Sequence, residues 1–261
     1  MTAPSPQVRV SLLGPLEVTV AGRAMAVGGP GRRALLAALG LGIGTTQGVP
    51  ELLEAIWDDR PPMTATTKLQ GHVCALRQSL ARLGGEEAAH TIQTKPPGYV
   101  LCRHRATTDL VRFDDLVRQA REARLPDRGA QRAALLTAAL DVWRGPSACS
   151  DIRSSWMSRM ADALDERRWR AMEDLAEAQL LMGEDHTVID AMEAMVRRAP
   201  YRERAWEHLI QAHRNRGDVA AAVSVHHRLC RTLVTGLGVT PGPRIARLLE
   251  EILGGRPVAH R

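Results

Sequence analysis

The segment TATTKLQGHVCALRQSLARLGG, residues 64–85, decides the fold of the first part of the chain. Four of its apolar residues follow one another at spacings of 4, 3 and 4: Leu69, Val73, Leu76 and Leu80. This spacing places them on one face of an α-helix. Thr64 can cap the start of the helix, and the glycines at 84 and 85 end it. The segment therefore predicts an amphipathic helix that runs from Thr64 to about Leu83.

Two further elements flank this helix. Pro50 suits the first turn of a short helix that ends near Trp57, and the sequence DDRPP at residues 58–62 cannot continue it. After the long helix, residues 91–101 indicate two strands joined at a Pro-Pro-Gly tip, with Gly98 making the turn and Tyr99 packed beneath it. This order predicts a helix-turn-helix followed by a hairpin that serves as a wing.

The residues before this unit indicate a small sheet and another helix. Apolar residues alternate with polar ones in short runs over residues 8–27, the last run being Met25 and Val27, as in an antiparallel meander. The sequence GGPG at residues 28–31 ends the strands, and a helix is expected from about Arg32.

From Asp109 onward the strand pattern disappears. Helices are predicted near residues 110–124, 128–143, 155–182, 185–198, 201–216, 218–235 and 243–253. Gly183 and Gly217 are 34 residues apart, which is the period of tetratricopeptide helix pairs. We therefore predict a mainly α protein with a small β component. A winged helix-turn-helix DNA-binding domain is expected over residues 1–105, and an all-α, tetratricopeptide-like domain over residues 106–261.

The distribution of charge agrees with this division. The chain carries a net charge of +6, and its first 105 residues hold 11 Lys+Arg against 7 Asp+Glu. The only two lysines, Lys68 and Lys95, fall in the predicted long helix and in the predicted wing. A basic excess in such a domain favours double-stranded DNA as its partner.

Other classes of protein have little support in the sequence. The four cysteines form no CxxC pair, the adjacent His226 and His227 lack the spacing of metal ligands on a helix, and no nucleophile is placed beside a base by any motif. We expect no enzyme activity, no metal and no cofactor. The longest apolar stretch, residues 34–43, is too short to cross a bilayer, so we expect no membrane association and a cytoplasmic, nucleoid-associated protein.

The chain also resembles a known family, the Streptomyces antibiotic regulatory proteins, in the small form without an ATPase domain. The resemblance extends from about residue 8 to residue 253. The segments that carry it are LGPLEV at 13–18, RALLA at 33–37, AIW at 55–57, KPPGY at 95–99, WRGP at 143–146, DLAEA at 174–178 and GLGVTPGP at 236–243.

The resemblance implies an OmpR-type winged helix joined to a bacterial transcriptional activation domain. It further implies an activator of secondary-metabolite genes, such as an antibiotic cluster, that binds direct repeats near promoters and contacts RNA polymerase holoenzyme, including its sigma factor. Two copies are expected to bind such repeats side by side as a homodimer on DNA.

Candidate DNA contacts follow from the helix geometry, since side chains advance about 100° per residue. On the outward face of the long helix and beside it lie Thr67, Lys68, Gln70, Cys74, Arg77, Gln78 and Arg82. The resemblance to the family also implies a DNA contact for Arg77. Lys95 is expected to meet the backbone or the minor groove from the wing tip, and Arg32 and Arg33 are either phosphate contacts or solvated side chains. The exposed turn at Asp58, Asp59 and Arg60 is the candidate contact with polymerase.

The sequence departs from the family's usual pattern on this outward face. Gly71 presents no side chain, and Ala75 stands where the family usually has arginine. These departures keep a second hypothesis open, in which the chain is a helical-repeat adaptor with a degenerate winged helix.

Overall fold

The computed structural model describes residues 8–123 and 128–254 and confirms the mainly helical fold with a small β component. The chain divides into two compact units, one formed by residues 1–117 and 138–168 and the other by residues 118–137 and 169–261. The limits of these compact units differ from the domain boundary expected between residues 105 and 106. That boundary stays a prediction.

The first unit opens with a four-stranded sheet in which the first strand of the chain is central, between the second strand and the seventh, and the third strand lies at the edge beside the second. Its strands are β1 (Val8–Ser11), β2 (Glu17–Val20), β3 (Arg23–Ala24) and β7 (Ala106–Thr108). The expected meander is present as β1, β2 and β3, but Met25 and Val27 lie beyond its last strand. The strand β7 was not predicted; it pairs in parallel with β1, with Val8 opposite Ala106.

Four helices and a three-stranded sheet follow in the same unit. The helices are α1 (Pro30–Leu41), α2 (Val49–Trp57), α3 (Ala65–Gly84) and the unpredicted α4 (Glu86–Ala89). The sheet has the order β4-β6-β5, with β4 (Gln47–Gly48), β5 (Ile92–Lys95) and β6 (Gly98–Leu101). Thus α2, α3 and the β5–β6 hairpin form the predicted winged helix-turn-helix. The helix α1 begins two residues before Arg32, with proline in its first turn.

Burial of its apolar face holds α3 in place in the first unit. Leu69, Val73, Leu76 and Leu80 are each at most 2% exposed, and burying side chains of this size contributes about 1.5–3 kcal/mol each. The side chain of Thr64 makes no capping hydrogen bond, although Thr64 is the N-cap residue. Its carbonyl oxygen accepts the first helical bond from the N–H of Lys68 at 3.0 Å.

The residues after α6 (Gly129–Leu140) return to the N-terminal sheet of the first unit. The N–H of Arg144 donates to the Leu13 carbonyl at 2.7 Å, and the N–H of Cys149 donates to the Leu12 carbonyl at 2.8 Å. The predicted helix 128–143 therefore ends early, because the backbone at Arg144 bonds to the β1–β2 connection instead of continuing the helix. Gly14 permits this contact, since a Cβ there would lie 3.1 Å from the Cβ of Arg144.

The remaining helices agree closely with their predicted spans. They are α5 (Asp109–Glu122), α7 (Ser155–Leu181), α8 (Asp185–Arg198), α9 (Glu203–Asn215), α10 (Val219–Leu237) and α11 (Pro243–Gly254). In the second unit α8 to α11 enclose a core that includes Met192, Trp206, Leu209 and Leu229.

The 34-residue repeat is visible in the backbone of the second unit. Gly183 and Gly217 both adopt left-handed backbone, with φ of 76° and 75°. At each turn the next residue closes the helix in the same way: the Glu184 N–H donates to the Gln179 carbonyl at 2.9 Å, and the Asp218 N–H to the His213 carbonyl at 3.0 Å. The tetratricopeptide-like character of this unit is thereby confirmed.

Candidate nucleic-acid interface

The outward face of α3 carries a continuous polar stripe. Its residues are all exposed: Thr67, Lys68, Gln70, Gly71, Cys74, Gln78 and Arg82. Three of them bond locally: the Gln78 amide lies 3.7 Å from the Cys74 sulfur, and Arg82 donates to the Ser79 hydroxyl at 2.9 Å. A Cβ at Gly71 would meet no atom within 4 Å. The structure thus brings the predicted helix residues together on one accessible surface.

Arg77 differs from these residues because its guanidinium is engaged. Its Nε donates to the Ile92 carbonyl at 2.9 Å, and its Nη2 donates to the Thr94 hydroxyl at 3.0 Å. Both acceptors belong to β5. Arg77 therefore fixes the first strand of the wing against α3.

A groove of about 560 Å³ lies between α3 and this strand. Its polar and charged lining residues are Arg77, Gln78, Glu86, His90, Gln93 and Thr94. Amide, hydroxyl and guanidinium groups commonly contact the phosphates and sugars of DNA, whereas the Glu86 carboxylate would repel a phosphate. The groove therefore combines donors that can contact a DNA backbone with one acidic side chain.

The wing tip is held from below by an unpredicted strand. Lys95 pairs with Gly98 across the β5–β6 hairpin, and Gly98 also pairs with Gly48 of β4. Glycine is required at position 98, but not for the turn that the sequence analysis predicted. Its φ is not positive, and a Cβ at Gly98 would overlap the Gln47 carbonyl oxygen, so the close approach of β4 requires glycine. Tyr99 is buried as expected, and Lys95 is exposed at the tip.

The two arginines at the start of α1 have different surroundings. Arg33 forms an ion pair with Asp151, and its Nη2 donates to the Leu16 carbonyl at 3.2 Å. Its side chain is 27% exposed, so its charge is largely used inside the first unit. Arg32 lies beside Gly28 instead and contributes to the positive field around α3.

A histidine that the sequence reasoning missed belongs to this surface. The His72 ring stacks on Trp57, with centroids 6.0 Å apart and an interplanar angle of 25°. Burial lowers the pKa of His72, and the positive charges of Arg32 and Lys68 lower that pKa further. The available signal was its spacing, because position 72 lies one helical turn after Lys68. Arg32, Lys68 and His72 thus form one cluster.

The candidate polymerase turn divides in the structure. The Asp58 carboxylate accepts hydrogen bonds from the Ser155 hydroxyl at 2.7 Å and from the Trp156 N–H at 3.0 Å. These bonds, led by the one from the Trp156 backbone, lower the pKa of Asp58. Asp59 and Arg60 remain 88% and 90% exposed, and Met63 is fully exposed beside them. Asp58 therefore fixes the position of the turn, and Asp59, Arg60 and Met63 form its exposed surface.

No group of His, Cys, Asp and Glu side chains in residues 8–123 and 128–254 is arranged to hold a metal ion. Within the same ranges, no helix has the length and apolar character needed to cross a membrane.

Comparison with known proteins shows which family the chain belongs to. The chain matches the family model of the bacterial transcriptional activator domain over residues 108–253. It is 33% identical over 253 residues to the transcriptional regulatory protein MoaR1 of Mycobacterium tuberculosis H37Rv, which covers 96% of this chain and 81% of that protein. It is 28% identical over 255 residues to the regulatory protein DnrI of Streptomyces peucetius, which covers 96% and 93%.

A solved structure supports the same assignment. The structure of Mycobacterium tuberculosis EmbR in complex with a low affinity phosphopeptide matches with a TM-score of 0.89 and 33% sequence identity, over 97% of this chain and 66% of that chain. These relatives are regulators and not enzymes, and the fold, the family model and the sequence identity agree with the resemblance. The chain is a transcriptional regulator and belongs to the Streptomyces antibiotic regulatory protein family.

Proposed function

We propose that this regulator is a sequence-specific DNA-binding activator of a secondary-metabolite gene cluster, such as one for an antibiotic, and that it acts in the cytoplasm at the nucleoid. The observation that carries the proposal is the exposed polar stripe of α3, held beside the wing by the two hydrogen bonds of Arg77. A helix of this kind fits the major groove of B-DNA, where base edges are distinguishable.

Within this interface we assign different roles to different side chains. Gln70 and Gln78 carry the amides that pair with adenine, and Lys68 carries a donor for guanine; Thr67 and Cys74 lie between them on the same exposed face. Lys95, Arg32 and Arg82 are assigned to phosphates, which supply affinity without sequence information. Arg77 is assigned to positioning the wing, and Arg33 is left out of the interface because of its ion pair with Asp151.

We further propose that two copies bind head to tail on direct repeats about one helical turn apart, since that spacing puts both on one face of the duplex. Each copy then presents Asp59, Arg60 and Met63 in the same direction along the promoter. These exposed residues are the proposed contact with RNA polymerase holoenzyme and its sigma factor.

The test is a titration of the full chain against promoter fragments from beside its own gene, followed by gel shift at several salt concentrations. We expect a saturable complex that forms on promoter DNA more tightly than on random DNA and weakens as salt rises. A footprint at saturation should cover two half-sites. If no promoter fragment is bound even at low salt, the activator proposal fails and the adaptor hypothesis takes its place.

A further inference from the structure

The first unit contains a second cavity, away from the exposed stripe of α3. It has a volume of about 350 Å³ and lies between the start of α1, the end of α2 and the segment 151–154 that precedes α7. Its apolar walls are formed by Pro30, Ala34, Ile56 and Ile152. Small-molecule sites are concave and mostly apolar, with volumes of about 300–1,000 Å³. This cavity has the size and lining of such a site.

The charged groups at the cavity leave one positive charge in excess. Arg33 and Asp151 line it as an ion pair, and the second oxygen of Asp151 accepts a bond from the Leu16 N–H at 2.8 Å. Arg153 also lines it and is exposed. Within the part of the chain that the structure describes, no acidic side chain forms an ion pair with Arg153. A ligand with one negative charge would therefore complete the electrostatics of the cavity.

We propose that this cavity binds a small amphipathic organic acid, with its apolar body between Ile56 and Ile152 and its carboxylate against Arg153. Arginine presents a planar fork of donors that matches a carboxylate, and such charge-assisted pairs are stronger than neutral hydrogen bonds. Apolar walls alone would accept a neutral molecule of the same shape, so the arginine provides the preference for the acid.

A ligand in this cavity would lie next to segments that contact other parts of the first unit. Ile56 is followed by Trp57, which stacks on His72 of α3. Ser154 is followed by Ser155, whose hydroxyl donates to Asp58. A ligand here would contact the ends of both segments that fix the turn between α2 and α3. The binding itself does not depend on the proposed DNA interface and is measurable without DNA.

The test is isothermal titration of the full chain with three probes: octanoate, 1-octanol and acetate. We expect octanoate to bind at one site per chain and 1-octanol to bind at least tenfold more weakly, because only the carboxylate gains a charge-assisted hydrogen bond. Acetate should not bind, because it lacks the apolar chain. Arg153→Gln should weaken octanoate about tenfold and leave 1-octanol unchanged. Arg216→Gln, which removes an exposed arginine of the other unit, is the matched control.

A second variant keeps the proposal open to refutation. Ile152→Trp fills the cavity from a half-buried position and should abolish the binding of octanoate and of 1-octanol, with circular dichroism confirming that the chain remains folded. Octanoate that binds at several sites per chain, or that binds Ile152→Trp as well as wild type, would overturn the site. Equal effects of Arg153→Gln and Arg216→Gln would overturn the role of Arg153.

Discussion

The Asp58 carboxylate accepts a hydrogen bond from the backbone N–H of Trp156 at 3.0 Å, across 98 residues of sequence. This N–H lies in the first turn of α7, where helical N–H groups have no partner within the helix. The next N–H, that of Met157, is satisfied locally by the Ser154 hydroxyl at 3.1 Å. The start of α7 is thus capped by one residue of its own segment and by one residue of the turn after α2.

Asp58→Ala should lower the free energy of unfolding by about 0.5–2 kcal/mol, as loss of a helix cap does. Asp59→Ala changes the same residue type one position later, where the side chain is 88% exposed, and should have little effect. Urea unfolding of the two variants beside wild type measures the difference. Equal midpoints for both variants would contradict the capping role.

The same bond predicts a pH dependence. Because the folded pKa of Asp58 is lowered, its contribution to stability is complete above the unfolded pKa of about 3.9 and is lost as pH falls through the lower folded pKa. The stability difference between wild type and Asp58→Asn should therefore be constant near neutral pH and shrink below about pH 4. Unfolding curves at a series of pH values test this, and a difference that persists unchanged in acid would argue against it.

Arg77→Ala should lower both stability and DNA affinity, because it releases the wing strand from α3. Loss of its two hydrogen bonds is expected to cost about 1–3 kcal/mol in the free energy of unfolding, and affinity should fall for promoter and random DNA alike. Arg82→Ala is the control for stability: this arginine is on the same helix but bonds only to Ser79 among the described contacts, so the variant should keep the free energy of unfolding and lose only the affinity of its assigned phosphate contact. A variant at Arg77 that keeps its stability and alters only sequence preference would show direct base reading instead.

Lys95→Ala should weaken binding to all DNA sequences by a similar factor and reduce the slope of log affinity against log salt by about 1. The reason is that an exposed lysine at the wing tip is assigned to one phosphate. Lys95→Arg keeps the charge and should retain the slope. Anisotropy titrations at four salt concentrations give the measurement, and an unchanged slope for Lys95→Ala would remove the wing tip from the interface.

His208 should make the second unit sensitive to mild acid. It is 8% exposed with no partner for its Nε2 among the described residues, and burial, aided by the Arg204 charge, lowers its pKa to about 4. The folded state holds this ring neutral, so stability is full above the unfolded pKa of about 6.5 and declines as pH falls toward 4, by up to about 3 kcal/mol.

Comparison of wild type with His208→Gln tests this sensitivity. The variant should lose the part of the pH dependence that lies between about 6.5 and 4, whereas replacement of the exposed His186 by Gln should leave it intact. Parallel pH profiles for wild type and His208→Gln would assign the effect to another group.

The double variant Asp59→Ala, Arg60→Ala should reduce transcription in vitro without changing promoter affinity. Both side chains are exposed and their only mutual contact is an ion pair of 3.9 Å, so folding does not depend on them. Met63→Ala, at the fully exposed end of the same turn, tests whether an apolar contact contributes. Unchanged activation by all of these variants would exclude the turn from polymerase contact.

Local spacing was sufficient to predict α3 and its exposed face. The 4, 3 and 4 spacing of its leucines and valine fixed which side is buried, and the other side followed from geometry. The strand β7 was not predictable in this way, because Ala106-Thr107-Thr108 has no large apolar alternation and its partner β1 lies almost a hundred residues earlier.

The roles of individual arginines were also harder to predict, because they depend on contacts with residues that are distant in sequence. Arg33 was a candidate phosphate contact, but its partner Asp151 is 118 positions away in sequence and is brought to it only by the fold. The bonds of Arg77 to β5 depend on how the hairpin packs on α3. Sequence can indicate that a basic residue is near a surface, whereas the tertiary contacts decide whether its charge remains available.

The anchoring of the Leu12–Leu13 backbone has a practical meaning for engineering regulators of this family. The Asp109 carboxylate accepts the N–H groups of Leu12 and Leu13 at 2.7 and 2.9 Å, while Arg144 and Cys149 donate to the carbonyls of the same two residues. All five residues belong to the first unit. A hybrid protein joined at residue 105 would take the two halves of this cluster from different parents, whereas a segment that keeps the cluster from one parent extends to at least Cys149.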